Sequence, residues 1–298
     1  MKEDSMPERA SRADRINVRM LDLEERFINW AVTNPDIRAA IVVGSRARTD
    51  HPADEWADLD ILVFAVNPER YVKDTNWLGS IGQVWASHLE LTVGGDPECV
   101  ALFEGGLRVD FVLTDVKNLQ RLSSEEELPD IIRRGTRIIL DKDSMVARLR
   151  PLPTNLLLAK PPSLEQFLGT VNGFWQGALY VATQLRRGEL WIAKQSEARG
   201  MGTVLRMLEW HARAVNGWDY DTWYGGRFLN EWADRRAVAQ LRDAFGHFDE
   251  EDSWRVLLAT MELFHWLARE TANHLGYDYP EILDTNVSEL ITKLHSEA

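Results

Sequence analysis

The 298-residue sequence contains a single cysteine, Cys99, so it cannot form a disulfide bond within the chain. It also lacks any run of about 18 apolar residues, which a membrane-spanning helix would need. The first 15 residues are polar and of mixed charge, without the apolar stretch that a secretory signal carries. We therefore predict a cytoplasmic protein that does not associate with membranes.

Positive charge is scarce as well, since 34 Lys and Arg residues stand against 47 Asp and Glu residues, a net charge of -13. Proteins that bind nucleic acids need many cationic contacts to phosphate, so this balance argues against a nucleic-acid partner. A negative overall field instead favours a cationic small-molecule ligand. We expect a monomer that acts on small molecules.

The pattern of apolar residues changes partway along the chain. Before residue 150, helical spacing predicts one helix over residues 14–33, after a frayed lead-in, and a set of short apolar runs predicts strands. These strands cover residues 39–43, 59–66, 89–93, 100–103, 107–113 and 138–140.

A proline-rich segment containing Pro151, Pro153, Pro161 and Pro162 predicts a linker. Beyond it, Ser163 and Gln166 form a capping-box pattern that predicts the start of a helix. Helical spacing then continues over residues 164–187, 189–214, 235–248, 253–275 and 286–296. We therefore predict an α+β fold, with a mixed-sheet domain over residues 1–150 and an all-α domain over residues 151–298.

Three aspartates in the first domain indicate a metal site. Asp58 and Asp60 begin one predicted strand and point to the same face, because side chains alternate along a strand. Asp110 lies inside another strand. Three converging carboxylates repel one another and cost desolvation unless a cation neutralises them. Two Mg²⁺ ions would do so, since Mg²⁺ prefers carboxylate and phosphate oxygens, and such a pair promotes displacement at phosphorus.

A Gly-Ser turn lies 14 residues before the first of these aspartates. Gly44 would let the backbone approach a triphosphate, and Ser45 would offer it a hydroxyl and an N–H. Arg46 or Arg48 could neutralise phosphate charge. We therefore predict that Gly44, Ser45, Arg46 and Arg48 bind the triphosphate of a nucleotide.

The spacing of this turn to Asp58 and Asp60 resembles the signature of polymerase-β-type nucleotidyltransferases. Over nearly the whole length, the chain resembles the aminoglycoside 6-adenylyltransferase family, the streptomycin adenylyltransferases. The similar segments are Gly44-Ser45-Arg46-Ala47, residues 54–60, residues 76–78 with Gly82, Val109-Asp110-Phe111, residues 140–143, Lys160-Pro161-Pro162-Ser163, Phe174-Trp175, Leu205-Arg206-Met207-Leu208 with Trp210, and residues 277–281.

The resemblance implies a nucleotidyltransferase domain followed by a helical bundle that lines the acceptor site. It also implies AMP transfer from ATP to a hydroxyl of streptomycin, with Asp58, Asp60 and Asp110 as metal ligands. The family carries an Asp in the part of a helix that here corresponds to residues 189–197, where this sequence has none. The substrate contact made by that residue is therefore not predicted.

A general base must also be assigned, because the attacking hydroxyl loses a proton. Glu90, in Leu89-Glu90-Leu91-Thr92, resembles the catalytic glutamate of the related 3''/9 adenylyltransferases. We predict Glu90 as the base, with Glu197 in the helical domain as the competing candidate.

Three other functions remain open at this point. The same fold could act on another acceptor, such as a lincosamide, a different aminoglycoside ring or a protein hydroxyl. The chain could be a nucleotide-binding module without activity, although all three metal carboxylates are present. An RNA-tailing enzyme is disfavoured by the charge and by the lack of a basic, aromatic-rich patch.

Overall fold

A computed structural model of the protein describes residues 12–124, 129–146 and 159–297. The chain divides into two units, Met1–Asn155 and Leu156–Ala298. The predicted lead-in before residue 12 lies outside the described residues, as do Pro151, Pro153 and the predicted domain boundary at residue 150. Among the described residues, no helix is long and apolar enough to cross a membrane.

The first unit combines one long helix with six strands, and every predicted strand is present with shifted ends. Its helices and strands are α1 (Arg12–Thr33), β1 (Ile37–Val43), β2 (Leu59–Ala65), α2 (Glu69–Lys73), β3 (Val84–Leu91), β4 (Pro97–Phe103), β5 (Leu107–Asp115), α3 (Val116–Ser124), α4 (Asp130–Arg133) and β6 (Arg137–Asp141). Short 3₁₀ helices span Gly44–Arg46 and Thr75–Ser80.

The six strands form one mixed sheet in the order β3-β4-β5-β2-β1-β6. Strands β2 and β5 are parallel neighbours at its centre, whereas the other pairs are antiparallel. Because β2 and β5 are parallel and adjacent, residues near their beginnings lie at the same edge of the sheet. The predicted α+β class with a mixed sheet is confirmed.

Helix α1 covers one face of the sheet because its apolar residues recur every three or four positions. Met20, Leu23, Phe27 and Ala31 are buried in one core with the odd-numbered side chains of β2 and β5. A smaller core on the opposite face contains Phe64, with Leu119 of α3 and Ile132 of α4. The even-numbered residues at the beginnings of β2 and β5 lie on this second face.

The second unit is helical, as predicted. It consists of α5 (Leu164–Arg186), α6 (Leu190–Asn216), α7 (Leu229–Trp232), α8 (Arg235–Leu241), α9 (Glu250–Leu275) and α10 (Glu281–Ser296). The predicted capping box begins α5, since Ser163 accepts from the Gln166 amide and the Gln166 side chain accepts from the Ser163 amide.

The predicted helix over residues 235–248 is wrong beyond Leu241, where α8 ends. The carbonyls of Asp243 and Phe245 accept hydrogen bonds from Arg255 instead of from helix amides. Asp249 then begins α9, because its side chain accepts from the Asp252 amide. A loop with its own hydrogen bonds therefore replaces the last two predicted turns.

Candidate active site

The three predicted aspartates converge at the start of the parallel strand pair. Asp60 of β2 is the register partner of Asp110 of β5, and Asp58 immediately precedes β2. Each of the three offers a carboxylate oxygen, and these oxygens lie within 4.8 Å of one another. Asp110 is only 6% exposed, whereas Asp58 and Asp60 are partly exposed. A half-buried group of three acids on one side of the sheet can hold divalent cations.

Gly44 forms the turn that leads from β1 to this cluster. Its φ is +69°, a left-handed conformation that favours glycine. A Cβ atom at this position would lie 2.4 Å from an Asp60 carboxylate oxygen, so no larger residue fits. Val43 pairs with Asp60 across the β1–β2 ladder. The strand register therefore brings the Gly44 backbone, and Ser45 directly after it, beside the aspartates.

Arg46 stabilises the approach to β2 through backbone contacts. Its Nε donates to the Asp58 carbonyl at 2.9 Å, and its terminal nitrogen donates to the Ala57 carbonyl at 2.8 Å. Burial lowers the pKa of the Arg46 guanidinium. Arg46 therefore helps to position Asp58, and its predicted contact with phosphate stays a prediction.

Arg48 also contacts the backbone, since its Nε donates to the carbonyls of Asp50 at 3.0 Å and His51 at 2.9 Å. Gly135 packs so closely on this turn that a Cβ atom there would lie 2.6 Å from the Arg48 backbone. The turn after Ser45 is thus held from two sides, and the predicted phosphate contact of Arg48 remains untested.

Arg108 is a site residue that the sequence reasoning missed. It donates two hydrogen bonds to Asp110, from Nε at 2.9 Å and from the terminal nitrogen at 2.8 Å. Its side chain is 51% exposed, so it can leave this pair without disturbing a core. The spacing Arg-x-Asp on one strand was the available signal, because period two places both residues on one face.

Glu90, the predicted base, lies on the edge strand β3, with β4 between it and β5. Neighbouring strands lie about 4.8 Å apart, which puts Glu90 about 10 Å across the sheet from β5. It shares the face of the aspartates, because it pairs with Glu98, whose partner on β5 is Val112, two residues from Asp110. His88 lies 3.4 Å from Glu90 on the same face.

Glu98 was also missed, because the predicted strand began only at residue 100. Burial raises the pKa of Glu98, and the negative charges of Asp110 and Glu90 raise it further. The face of the sheet that carries the aspartates thus has a row of acids from Asp60 to Glu90.

The competing base, Glu197, belongs to α6 of the second unit. It forms an ion pair with Lys194 at 2.6 Å and is 12% exposed. Its other carboxylate oxygen is buried and has no hydrogen-bond partner among the described residues. Glu197 therefore keeps one oxygen available to accept a proton or a hydrogen bond.

Comparison with known proteins gives a match along almost the whole chain. The profile of the streptomycin adenylyltransferase family matches residues 19–294. An aminoglycoside 6-adenylyltransferase of Bacillus subtilis (strain 168) is 23% identical over 270 residues, covering 88% of this chain and 92% of that protein. A protein of the same name from Campylobacter jejuni is 25% identical over 271 residues, covering 89% and 92%.

A crystal structure of an aminoglycoside 6-adenyltransferase from Bacillus subtilis is also similar. It aligns with a TM-score of 0.43 and 19% sequence identity, covering 93% of this chain and 97% of that one.

Proposed function

This chain belongs to the streptomycin adenylyltransferase family of nucleotidyltransferase enzymes, and from that membership we propose that it transfers AMP from ATP to a hydroxyl of an aminoglycoside. We propose streptomycin as the acceptor and its 6-hydroxyl as the modified group, which gives resistance to the antibiotic. The observation that carries this proposal is the Asp58, Asp60 and Asp110 cluster beside the Gly44-Ser45 turn.

The cluster fits a pair of Mg²⁺ ions, because its three carboxylates offer oxygens within 4.8 Å of one another and two of the three residues are partly exposed. Asp58 and Asp60 would hold the ions together with Asp110. Bound there, the ions would supply charge neutralisation for the attacking and leaving oxygens of the displacement at phosphorus.

The residues around the cluster would bind and orient the nucleotide. Ser45 would donate its hydroxyl and backbone N–H to the triphosphate, and Gly44 leaves room for that approach because it has no side chain. Arg46 would bind the triphosphate together with Ser45. Its present hydrogen bond to the Asp58 carbonyl keeps Asp58 in place. Arg108 would neutralise Asp110 until a cation binds, because it pairs with both oxygens of that carboxylate.

Glu90 would accept the proton of the attacking hydroxyl. Three observations support it: an exposed carboxylate, a position on the face of the aspartates, and a histidine 3.4 Å away. For a cationic acceptor, the row of acids on this face would also contribute attraction.

The experiment that tests the function measures pyrophosphate release with ATP, Mg²⁺ and a panel of acceptors. The panel contains streptomycin, an aminoglycoside that lacks the streptidine ring of streptomycin, a lincosamide and a protein substrate. We expect pyrophosphate release with streptomycin and with no other member of the panel. Release with another member of the panel identifies a different acceptor for the same chemistry, and release with none contradicts the proposal.

A further inference from the structure

The helical unit contains a cavity of about 570 Å³ between the segment before α5, helix α5 and helix α6. Its wall includes Lys160 from the segment before α5, and Gln166 and Gly173 from α5. Helix α6 contributes Thr203, Arg206 and Trp210. Sites for small organic ligands occupy about 300–1,000 Å³, so the volume suits one. Every residue of the wall belongs to the unit Leu156–Ala298.

The charge of this cavity is opposite to that of the protein. The charged groups on its wall are Lys160 and Arg206, in a chain with a net charge of -13. Within the described ranges, neither cation forms an ion pair or donates a side-chain hydrogen bond. Glu209, one turn further along α6, interacts with Arg206 electrostatically without forming an ion pair. Two cations that are not paired with carboxylates are therefore available to an anion.

The remaining wall suits a ligand that has a flat, apolar part as well. The ring centroids of Trp210 and Phe167 lie 6.5 Å apart, and this contact holds the Trp210 indole against the core. Gly173 faces open space, because a Cβ atom there would meet no atom within 4 Å. Arg and Lys bind phosphate oxygens, and an aromatic face stacks on a nucleobase.

From these groups we propose that the cavity binds a phosphate-bearing ligand, with Lys160 and Arg206 on the phosphates and Trp210 against an attached base. A nucleotide uses all three groups at once. The ligand can be the nucleotide of the proposed reaction or a separate phosphorylated effector, and both share this chemistry. The proposal does not depend on which acceptor the protein modifies.

The test measures binding of pyrophosphate and of ATP to the full-length protein by calorimetry in EDTA. Without a divalent cation, the three aspartates of the first unit repel phosphate, and the part of the binding that Arg206→Gln or Lys160→Gln removes reports on the cavity. Loss of a charge-assisted hydrogen bond weakens binding by about tenfold to a hundredfold, which is the effect expected for Arg206→Gln and for Lys160→Gln. Arg235→Gln is the matched control, since it removes an exposed arginine of the same unit outside the cavity.

A second variant fills the cavity without removing charge. Gly173→Leu should abolish binding of ATP while thermal unfolding stays at the wild-type temperature, because the new side chain enters open space. Arg206→Gln keeps the test valid if the leucine variant folds poorly.

Two results support the proposal and distinguish the nucleotide of the proposed reaction from a separate effector as the ligand. A higher KM for ATP in Arg206→Gln assigns the cavity to the co-substrate, whereas unchanged turnover with weakened binding assigns it to an effector. Equal affinity in wild type, Arg206→Gln and Gly173→Leu, or no binding of either ligand by the wild type, overturns it.

Discussion

At the scale of single residues, Gly44 allows the backbone to pass close to the aspartates, because it has no side chain. Gly44→Ala forces a side chain into a left-handed conformation, which costs about 1–2 kcal/mol, and places Cβ against Asp60. We expect a lower free energy of unfolding in urea and at least a tenfold loss of turnover, because Asp60 must move.

Gly79→Ala is the control for this prediction, because a Cβ atom at Gly79 has no neighbour within 4 Å. Equal effects of the two substitutions on turnover would show that the contact with Asp60 does not matter.

Part of the site could be predicted from residue types and spacing alone. Asp58 and Asp60 alternate along a strand, so a common face followed from the sequence. The approach of Gly44 to Asp60 could not be predicted, because it depends on the register with which β1 pairs with β2. Arg108 was overlooked, although the same alternation places it beside Asp110.

At the scale of secondary-structure elements, the edge strand β3 carries the proposed base. Glu90→Gln should lower kcat by about 10²–10⁴-fold, the usual contribution of general base catalysis, with binding of ATP and Mg²⁺ nearly unchanged. It should also remove the acidic limb of the pH–rate profile. The measurement is the rate of pyrophosphate release across pH.

Glu197→Gln is the matched comparison, since it makes the same change in the other candidate. A full kcat in Glu90→Gln together with a lowered kcat in Glu197→Gln would identify Glu197 of helix α6 as the base.

The start of α9 gives a prediction about pH. The Asp252 carboxylate accepts hydrogen bonds from Arg255 and from the His247 amide, and these lower the pKa of Asp252 to about 2. A lowered carboxyl pKa contributes stability that is complete above the ordinary value of 3.8 and is lost as pH falls through about 2. Asp252→Asn should therefore destabilise the protein at pH 7, with a smaller difference as pH falls below 4.

Urea denaturation at several pH values measures this difference. Asp278→Asn, an exposed change of the same charge, serves as the control. A difference between wild type and Asp252→Asn that stays constant down to pH 3 would contradict the role of the carboxylate.

Long helices were predictable because their caps and apolar spacing are local signals, as in the Ser163 and Gln166 box. Short helices such as α2, α4 and α7 were not predicted, since each has only four or five residues and too few positions to show a period. The end of α8 was missed because Arg255, which belongs to the next helix α9, binds the carbonyls that follow it.

At the scale of the whole molecule, the charge of -13 predicts how the acceptor binds. A polycationic acceptor is attracted by this field, and salt screens exposed charges over about 10 Å at 0.1 M ionic strength. We expect the KM for the acceptor to rise with added potassium chloride. A KM that stays constant between low and high salt indicates an uncharged acceptor.

The most direct test of the proposed function is mass spectrometry of streptomycin after incubation with the protein, ATP and Mg²⁺. We predict a product heavier by one AMP residue, formed by the wild type and by Asp50→Asn. Asp60→Asn should form it at least about 100-fold more slowly while remaining folded, because a metal carboxylate acts on the developing charge. Unmodified streptomycin with the wild-type protein, or an equal rate in Asp60→Asn, would contradict the proposal.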